Sequence, residues 1–303
     1  MISFPDTFPK TEEMYEILRK TIEKAWKAEF SVSTIDDWLD NFTGQVLDVS
    51  DEKRIALWLL CNFTYYSPAE VNHLCRILYN KLLHDIITRE ALSIAQLEER
   101  MKRASFSSIG SASESGGLLL YHFRQEAELS IDQFFYPTEI KSDPDTIAVF
   151  IDDATLSGGT GTRHFYNILQ EKSFKRVYYL TLVASKTAID KLKEHGIHVI
   201  YCSMVDARNK CFSQESMVFY RYQSLRDSAK RMIEEYGKRI IRPRTKMKPL
   251  GFDDGQYCFG FYYNTPNNTL PIFWSDYNWN PIFLRKEKLQ NAKQFHIDSC
   301  KYI

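Results

Sequence analysis

The chain has 303 residues, of which 44% are hydrophobic and 14% aromatic, enough apolar material for one large domain or two moderate ones. Lys plus Arg and Asp plus Glu are equal at 39 each, so the overall charge excludes a general attraction to nucleic acid or membranes. The six cysteines form no C-x-x-C pair and no zinc-spaced cluster with histidine. With no signal peptide and no membrane-length apolar run, we expect a cytoplasmic protein with reduced thiols and no membrane partner.

Residues 1–104 are predicted to form a helical region. Apolar residues recur there every three or four positions, the spacing of an amphipathic helix. The helices are expected at residues 11–30, 33–39, 52–63, 68–87 and 89–103. Glycine and proline are nearly absent, and Pro68 suits the first turn of its helix. This composition favours a helical bundle or cap.

Residues 105–117, with the sequence SFSSIGSASESGG, form a low-complexity segment. A short Ser/Gly run of this kind is typical of a flexible linker. It also directly precedes an apolar helix predicted at 118–126, and a Gly-rich segment at a helix N-terminus can bind an anion. Both interpretations stay open at the level of sequence.

A strand–helix alternation begins at Ile147. Five apolar residues, 147–151, run without a polar interruption, as in a parallel strand buried on both faces. Further helices are expected at 163–171 and 186–195, and further strands at 177–184 and 198–203. This β-α-β-α-β order requires a parallel sheet with right-handed crossovers. The sequence therefore predicts an α/β core, to which we assign residues 105–215.

The end of the first strand of this core has the most informative motif, IDDATLSGGTGT. Asp152 and Asp153 follow the strand, and a flexible turn then leads into a helix. That turn consists of Ser157, Gly158, Gly159, Thr160, Gly161 and Thr162. Glycines allow backbone N–H groups to approach an anion, hydroxyls add donors, and the helix N-terminus adds partial positive charge. The pattern predicts a ribose-5-phosphate site, with the acids near the ribose hydroxyls or near a metal that bridges to them.

Three other phosphate-binding motifs fail on spacing. A Walker loop requires a lysine, and none lies between Phe150 and Glu171. The dinucleotide fingerprint requires a third glycine where this chain has His164, and a haloacid-dehalogenase phosphatase would place its nucleophilic aspartate at Ile151. The phosphoribosyltransferase loop, four apolar residues and then D-D-x-x-x-T-G-G-T, matches with Ser157 in place of the first threonine. An ordinary strand–helix turn without a ligand is the alternative.

The last region, residues 216–303, is less regular. A helix is predicted at 222–236 and is followed by a basic run, residues 238–248, that contains six lysines and arginines. We favour a solvated loop for this run, because the overall charge is balanced. A clamp for pyrophosphate, nucleotide or RNA is the alternative.

Alternating aromatic residues at 256–263 predict a half-buried strand. A segment rich in asparagine and proline follows it. Asn264, Asn267 and Asn268 are candidates for contacting the edge of a base or ribose, and Trp274 is a candidate for stacking on a base. Trp274 can equally be a core aromatic. We expect this strand to pack on the core and to project the asparagines toward the phosphate turn, since so short a strand is not stable alone.

On these motifs the chain resembles the phosphoribosyltransferase-like proteins of prokaryotic conflict systems, the PRTase-CE family. The resemblance rests on AVFIDDATLSGGTGT, on ALWLLCNFTYYSPAEVNHLCRIL in the helical region, and on NTPNNTLPIFWSDYNWNPIF near the end. It implies an α/β fold with a type I phosphoribosyltransferase-like parallel sheet, an α-helical N-terminal region and a C-terminal hood-like α+β region. It also implies an effector of a bacterial antiviral defence system of the retron or cyclic-nucleotide type.

The resemblance implies roles for individual residues. The turn from Ser157 to Thr162 would bind the 5′-phosphate, while Asp152 and Asp153 would hold the ribose hydroxyls and act in catalysis. The same two acids are the metal-binding candidates, for a Mg²⁺ ion held through the substrate. The pyrophosphate loop of the superfamily is assigned to Ser115, Gly116 and Gly117, and the base-binding hood to residues 216–303.

The implied ligand is phosphoribosyl diphosphate or another nucleotide, and the implied reaction is glycosyl transfer or glycosidic hydrolysis. The partners are a phosphorylated ribose compound and other defence subunits, either a reverse transcriptase with its RNA and DNA or a nucleotide-signalling protein. A non-catalytic phosphoribosyl sensor and an RNA-binding scaffold that uses the basic run are the competing hypotheses.

Overall fold

The computed structural model describes residues 2–27, 32–109, 115–140, 143–283 and 285. Parts of three predictions lie outside these residues: the end of the first predicted helix, residues 110–114 of the Ser/Gly segment, and nearly all of the chain after residue 283.

The described residues contain the following helices: α1 (Thr11–Thr21), α2 (Val32–Leu39), α3 (Val49–Cys61), α4 (Pro68–Glu90), α5 (Ile94–Lys102), α6 (Ser115–Glu126), α7 (Gly159–Glu171), α8 (Lys186–Glu194) and α9 (Gln223–Ile240). The strands are β1 (Thr64–Tyr66), β2 (Ser105–Ser108), β3 (Asp143–Thr155), β4 (Phe174–Ser185), β5 (His198–Val205) and β6 (Phe259–Phe261). Within this described part, even the longest helix, α4, is not apolar enough to cross a membrane.

Four strands form one parallel sheet in the order β2-β3-β4-β5. Apolar side chains of β3 and β4 are buried on both faces. One face packs against α4 and α6, and the other packs against α7 and α8. The α/β class and the parallel sheet, predicted from the alternation of strands and helices, are therefore confirmed. The strands run one to four residues beyond their predicted carboxyl ends.

The start of the Ser/Gly segment is a strand and not a linker. β2 pairs with Ala148–Ile151 of β3, and its Phe106 is fully buried. Ser107 is also buried, and its hydroxyl donates a 2.8 Å hydrogen bond to the carbonyl of Phe135. The serines suggested a solvated segment, but a buried hydroxyl that has a partner is tolerated in a strand.

The N-terminal region is helical apart from a short strand that the sequence analysis missed. β1 lies between α3 and α4 and pairs in parallel with β6. The ring of Tyr66 stacks on Phe261 with centroids 5.0 Å apart. The predicted strand at 256–263 shortens to three residues of regular structure, and its partner comes from the region that was predicted to be all helix.

The described residues form three buried clusters, of which the smallest lies between the sheet and helices α7 and α8. The first, the helical core, is formed by α1–α3, α9 and much of residues 250–283. The second, the sheet core, contains α4–α6, β6 and the face of the sheet that packs against α4 and α6. The packing thus crosses the boundary that was drawn at residue 104, and the three-part division stays a prediction.

The helix predicted at 222–236 begins at Gln223 and continues to Ile240. Lys238 and Arg239 of the basic run therefore lie in its last turn, where positive charge is favourable against the helix dipole.

Candidate functional site

The two acids lie inside the carboxyl end of β3, because that strand continues to Thr155 and does not end at Ile151. Side chains alternate between the faces of a strand, so the acids point in opposite directions. Asp152 shares its face with Phe150, which packs toward α7 and α8. Asp153 shares its face with Ile151, which packs toward α4. Neighbouring residues of one motif are therefore connected to different layers of the protein.

Each acid has its own partners. The Asp152 carboxylate accepts a 2.9 Å hydrogen bond from the Tyr179 hydroxyl and another of 2.9 Å from the backbone N–H of Asp153. The Asp153 carboxylate accepts a 2.8 Å bond from the N–H of Ala154 and a longer one, 3.3 Å, from the side-chain amide of Asn264. Asp152 is thus held by the sheet, while Asp153 meets the segment that follows β6.

Burial, together with the neighbouring Asp153 charge, raises the pKa of Asp152 well above its ordinary value. The hydrogen bonds from Tyr179 and from the Asp153 N–H oppose this rise. The pKa of Tyr179 is raised as well, by burial and by the Asp152 charge. An ionised Asp152 is therefore costly in this site until something positive or hydrogen-bonding approaches it.

The phosphate turn is shorter than predicted, because α7 begins at Gly159 and includes Thr160–Thr162 in its first turn. Gly158 precedes the helix with a φ of +69°, a backbone conformation that favours glycine. The Ser157 hydroxyl accepts a 3.3 Å bond from the Gly159 N–H, and the Thr162 hydroxyl donates a 2.8 Å bond to the Gly158 carbonyl. The other N–H groups of such a first turn have no partner within the helix and are the groups that can bind an anion, while the Gly159 N–H is bonded to Ser157.

The three glycines of the turn serve different purposes. A Cβ on Gly158 would lie 3.2 Å from the Ala188 Cα, so both its φ and its surroundings favour glycine. A Cβ on Gly161 would lie 3.2 Å from the Tyr179 ring, so this glycine allows α7 to pack on β4. A Cβ on Gly159 would meet nothing nearer than the Ser157 hydroxyl oxygen at 3.5 Å. The fold therefore leaves space at Gly159.

A cavity of about 440 Å³ opens at this edge of the sheet. It is lined by both acids, by Ser157 and Gly158, and by three cations and three asparagines, all of which except one cation come from distant parts of the chain. The cations are Arg163, Lys246 and Arg285, and the asparagines are Asn264, Asn267 and Asn268. Carboxylates, the residue that precedes α7, amides and cations thus face one space, whereas Gly159, Gly161 and Thr162 of the predicted turn do not line it.

Trp274 lies elsewhere. Its ring is buried, its indole N–H donates a 2.9 Å bond to the Thr269 carbonyl, and it does not line the cavity. The guanidinium of Arg285 lies 5.1 Å from the ring centroid. Trp274 is therefore a core aromatic, which was the alternative that the sequence left open. Its ring also helps to position Arg285.

The residues assigned to a pyrophosphate loop open α6, next to the carboxyl end of β2. A Cβ on Gly116 would lie 2.8 Å from the Ile109 carbonyl oxygen, so glycine allows α6 to approach β2 closely. Because β2 neighbours β3, Gly116 and Gly117 lie at the same edge of the sheet as the acids, although neither lines the cavity. Their role stays a prediction.

Four residues of the site were not singled out by the sequence. Arg163 directly follows the motif and could have been found from its position. Lys246 belongs to the basic run, for which a solvated loop was favoured. Nothing in the neighbouring sequence indicates that Tyr179 or Arg285 belongs to the site. Tyr179 lies in an apolar strand, and Arg285 lies in an irregular segment.

The described residues contain no group of three or more His, Cys, Asp and Glu that could hold a metal ion. Carboxylate oxygens suit Mg²⁺, and each oxygen of Asp152 and Asp153 retains a lone pair beyond the hydrogen bond that it accepts. The pair fits an ion that takes most of its ligands from a bound phosphate compound and from water.

A parallel sheet, a Gly-rich helix N-terminus and paired acids around one cavity define a phosphoribosyltransferase-like α/β protein. The chain belongs to the PRTase-CE family, whose model matches residues 35–285. No curated protein sequence matches the chain.

Several solved structures are similar. The chain is 12% identical to orotate phosphoribosyltransferase from Aeropyrum pernix, with a TM-score of 0.27 over 35% of this chain and 61% of that one. A hypothetical protein from Neisseria gonorrhoeae with bound ppGpp is 12% identical, with a TM-score of 0.33 over 47% of this chain and 84% of that one. A hypoxanthine phosphoribosyltransferase from Staphylococcus aureus is 12% identical, with a TM-score of 0.28 over 45% and 73%. The chain thus spans about three fifths of the orotate enzyme.

Proposed function

We propose that the cavity binds the ribose 5-phosphate part of a nucleotide-type ligand and that the protein catalyses glycosyl transfer or glycosidic hydrolysis on it. The observation that carries the proposal is the convergence of the α7 N-terminus and both acids on one cavity. An ordinary strand–helix turn has no need of two adjacent carboxylates, one of which is costly to ionise.

The 5′-phosphate lies at the N-terminus of α7 in this proposal. Gly159 leaves room for an oxygen, the Ser157 hydroxyl adds a donor, and Arg163 adds positive charge. The ribose hydroxyls then donate hydrogen bonds to the two carboxylates. The bond from Asn264 to Asp153 is long, 3.3 Å, so a ribose hydroxyl can replace it more easily than it can replace the bond from Tyr179 to Asp152. The asparagines, which both donate and accept, face the base side.

Glycosyl transfer breaks the bond between the ribose C1 and its leaving group, and the electron pair departs with that group. Positive charge develops at C1 and the ring oxygen until an acceptor, water or a nucleophile of the substrate, forms the new bond. Carboxylates fixed beside the sugar stabilise that charge, and the anchored phosphate holds the sugar in place. Bound Mg²⁺ would supply charge neutralisation for a departing diphosphate.

Binding and turnover test this proposal separately. Ribose 5-phosphate should raise the melting temperature of the wild type and not that of Gly159→Val. Phosphoribosyl diphosphate, NAD and common nucleotides, with and without Mg²⁺, are then assayed for turnover. Binding without turnover, under conditions in which the protein acts in cells, would support the sensor hypothesis; no binding of any ribose phosphate would reject the proposal.

The cellular part of the proposal is the role of an antiviral defence effector, working with a reverse transcriptase and its RNA and DNA or with a nucleotide-signalling protein. Its support is the family to which the chain belongs. Expression of the wild type should deplete a nucleotide-type metabolite and slow growth, whereas Asp153→Asn should do neither. An unchanged metabolite profile together with unchanged phage resistance would contradict it.

A further inference from the structure

Two cysteines that are distant in sequence meet within the helical core. The sulfur atoms of Cys211 and Cys258 lie 2.9 Å apart, and both side chains are buried free thiols. A disulfide bond is about 2.05 Å long, so the two sulfurs need to approach by less than about 1 Å to form one. Neither cysteine lines the cavity, and the proposed function gives neither a role.

Backbone hydrogen bonds hold the two cysteines close together independently of their sulfurs. The N–H of Cys211 donates a 2.8 Å bond to the carbonyl of Gln256, two residues before Cys258. The carbonyl of Cys258 accepts a 2.9 Å bond from the N–H of Thr64, at the start of β1. Because these contacts do not involve the sulfurs, the two thiols stay neighbours within one chain, and this proximity favours closure of a bond between them.

Burial controls how such a bond forms and how long it lasts. Burial, and then the contact with Cys211, raise the pKa of the Cys258 thiol well above its ordinary value. The thiolate is the reactive form, so the pair is slow to oxidise while the core is closed and reacts when the surrounding segments open locally. The same burial shields a finished disulfide from reductants.

We propose that Cys211 and Cys258 are a site of oxidative modification, at which hydrogen peroxide converts the two thiols into a disulfide. One thiolate attacks a peroxide oxygen and the O–O bond breaks, which leaves a sulfenic acid and a hydroxide that takes up the proton of that thiol to become water. The second thiol then attacks the oxidised sulfur, so that the S–S bond forms, the S–O bond breaks and a second water leaves. Each thiol loses one electron and one proton, and the peroxide gains both electrons and both protons. The site is independent of whether the cavity binds a ribose phosphate.

The disulfide restrains a part of the chain that contributes to the cavity. It closes a loop between two residues that are 47 positions apart, and this loop contains α9 and the cavity-lining residues Lys246 and Phe252. A cross-link across so long a loop stabilises the protein chiefly by restricting the unfolded chain. We therefore expect oxidation to raise the melting temperature by about 5 °C.

Thiol mapping of the full chain tests the site. The protein is incubated with hydrogen peroxide, free thiols are alkylated, and unreduced peptides are identified by mass spectrometry. We expect peptides joined through Cys211 and Cys258, which dithiothreitol separates. They should form faster in urea too dilute to unfold the protein, because local opening exposes the thiols. Both thiols still alkylated after oxidation in dilute urea, a sulfinic acid without a cross-link, or a link from either residue to a different cysteine would overturn the proposal.

Variants distinguish the cross-link from general oxidation. Cys211→Ala and Cys258→Ala should each lose the rise of about 5 °C that oxidation gives the wild type. Cys61→Ala is the matched control and should keep the rise, because Cys61 packs against the same core and its thiol contacts the Met14 carbonyl at 3.8 Å. Each variant is compared with its own reduced form, so that lost packing does not affect the result. A rise that persists in Cys211→Ala, or that disappears in Cys61→Ala, would count against the site, and the peptide map of the wild type gives the answer if a variant does not fold.

Discussion

The helical core and the edge of the sheet each bury carboxylate, but the protein surrounds the two in different ways. Glu52 of α3 is fully buried and accepts hydrogen bonds from the N–H groups of Gly44, Val46 and Leu47. The Tyr236 hydroxyl is a fourth donor. Both carboxylate oxygens of Glu52 therefore accept hydrogen bonds, most of them from the loop before α3, and the role of this acid is structural.

Asp152 and Asp153 are less well supplied. Each accepts two hydrogen bonds, the acids adjoin one another, and both face a cavity. A like charge beside a buried carboxyl disfavours its ionisation. Nothing in the described surroundings is stabilised by this arrangement in the way that Glu52 stabilises its loop. Burial alone therefore does not indicate a functional acid. Two adjacent carboxylates with few hydrogen-bond donors, facing a cavity, do indicate one.

The largest expected effect separates these roles by activity. Asp152→Asn combined with Asp153→Asn should lower turnover by roughly 100- to 1,000-fold, because the charge that stabilises the ribose cation is lost. The melting temperature should not fall, since neither acid closes a loop. Asp145→Asn, at the exposed start of β3, is the control and should retain full activity. Full activity of the double variant at normal expression would remove the catalytic role.

The second effect is on stability. Glu52→Ala removes the acceptor of four donors, of which the Tyr236 hydroxyl is buried and the three N–H groups are partly buried, and should lower the free energy of unfolding by about 3 kcal/mol. Urea denaturation measures the change, with the exposed Glu98→Ala as a control that should stay within about 0.5 kcal/mol of wild type. Ribose 5-phosphate affinity of the folded variant should not change. A Glu52→Ala protein of normal stability would show that the donors find water instead.

Local pattern sufficed for the sheet and for the position of the motif. Uninterrupted apolar runs located β3 and β4, and the Gly/Ser/Thr turn located the start of α7, because both signals lie within a few adjacent residues. The asparagines after β6 were expected near the acids, and Asn264 does contact Asp153.

What failed depends on contacts between distant residues. β1 has three residues and exists because β6, almost 200 residues later, pairs with it. β2 is polar in sequence and is a strand because β3 lies beside it. Tyr179 looks like any residue of an apolar strand until the register brings its hydroxyl to Asp152. No window of sequence contains these pairings.

A third, smaller effect sharpens the comparison within the motif itself. Gly158→Ala should cost about 1–2 kcal/mol of stability, because it puts a side chain at positive φ and against Ala188. Gly159→Val should change stability by less than about 1 kcal/mol, since only the Ser157 hydroxyl is nearby. It should nevertheless abolish the rise in melting temperature that ribose 5-phosphate causes. An unaltered rise in Gly159→Val would mean that the phosphate lies elsewhere.

The smallest effect concerns Asp152 alone and depends on pH. The pKa of Asp152 is raised in the folded protein, so the folded chain keeps its proton to a higher pH than the unfolded chain does. Below about pH 3 both states are mostly neutral at this residue and Asp152→Asn should match wild type in stability. As the pH rises, the unfolded chain releases its proton first, and wild type loses stability that the neutral asparagine keeps. At neutral pH the variant should therefore be more stable by about 1 kcal/mol. Urea denaturation of both proteins from about pH 3 to about pH 8 measures the difference. If the two free energies of unfolding differ by the same amount at every pH, packing and not the ionisation of Asp152 is the cause of the difference.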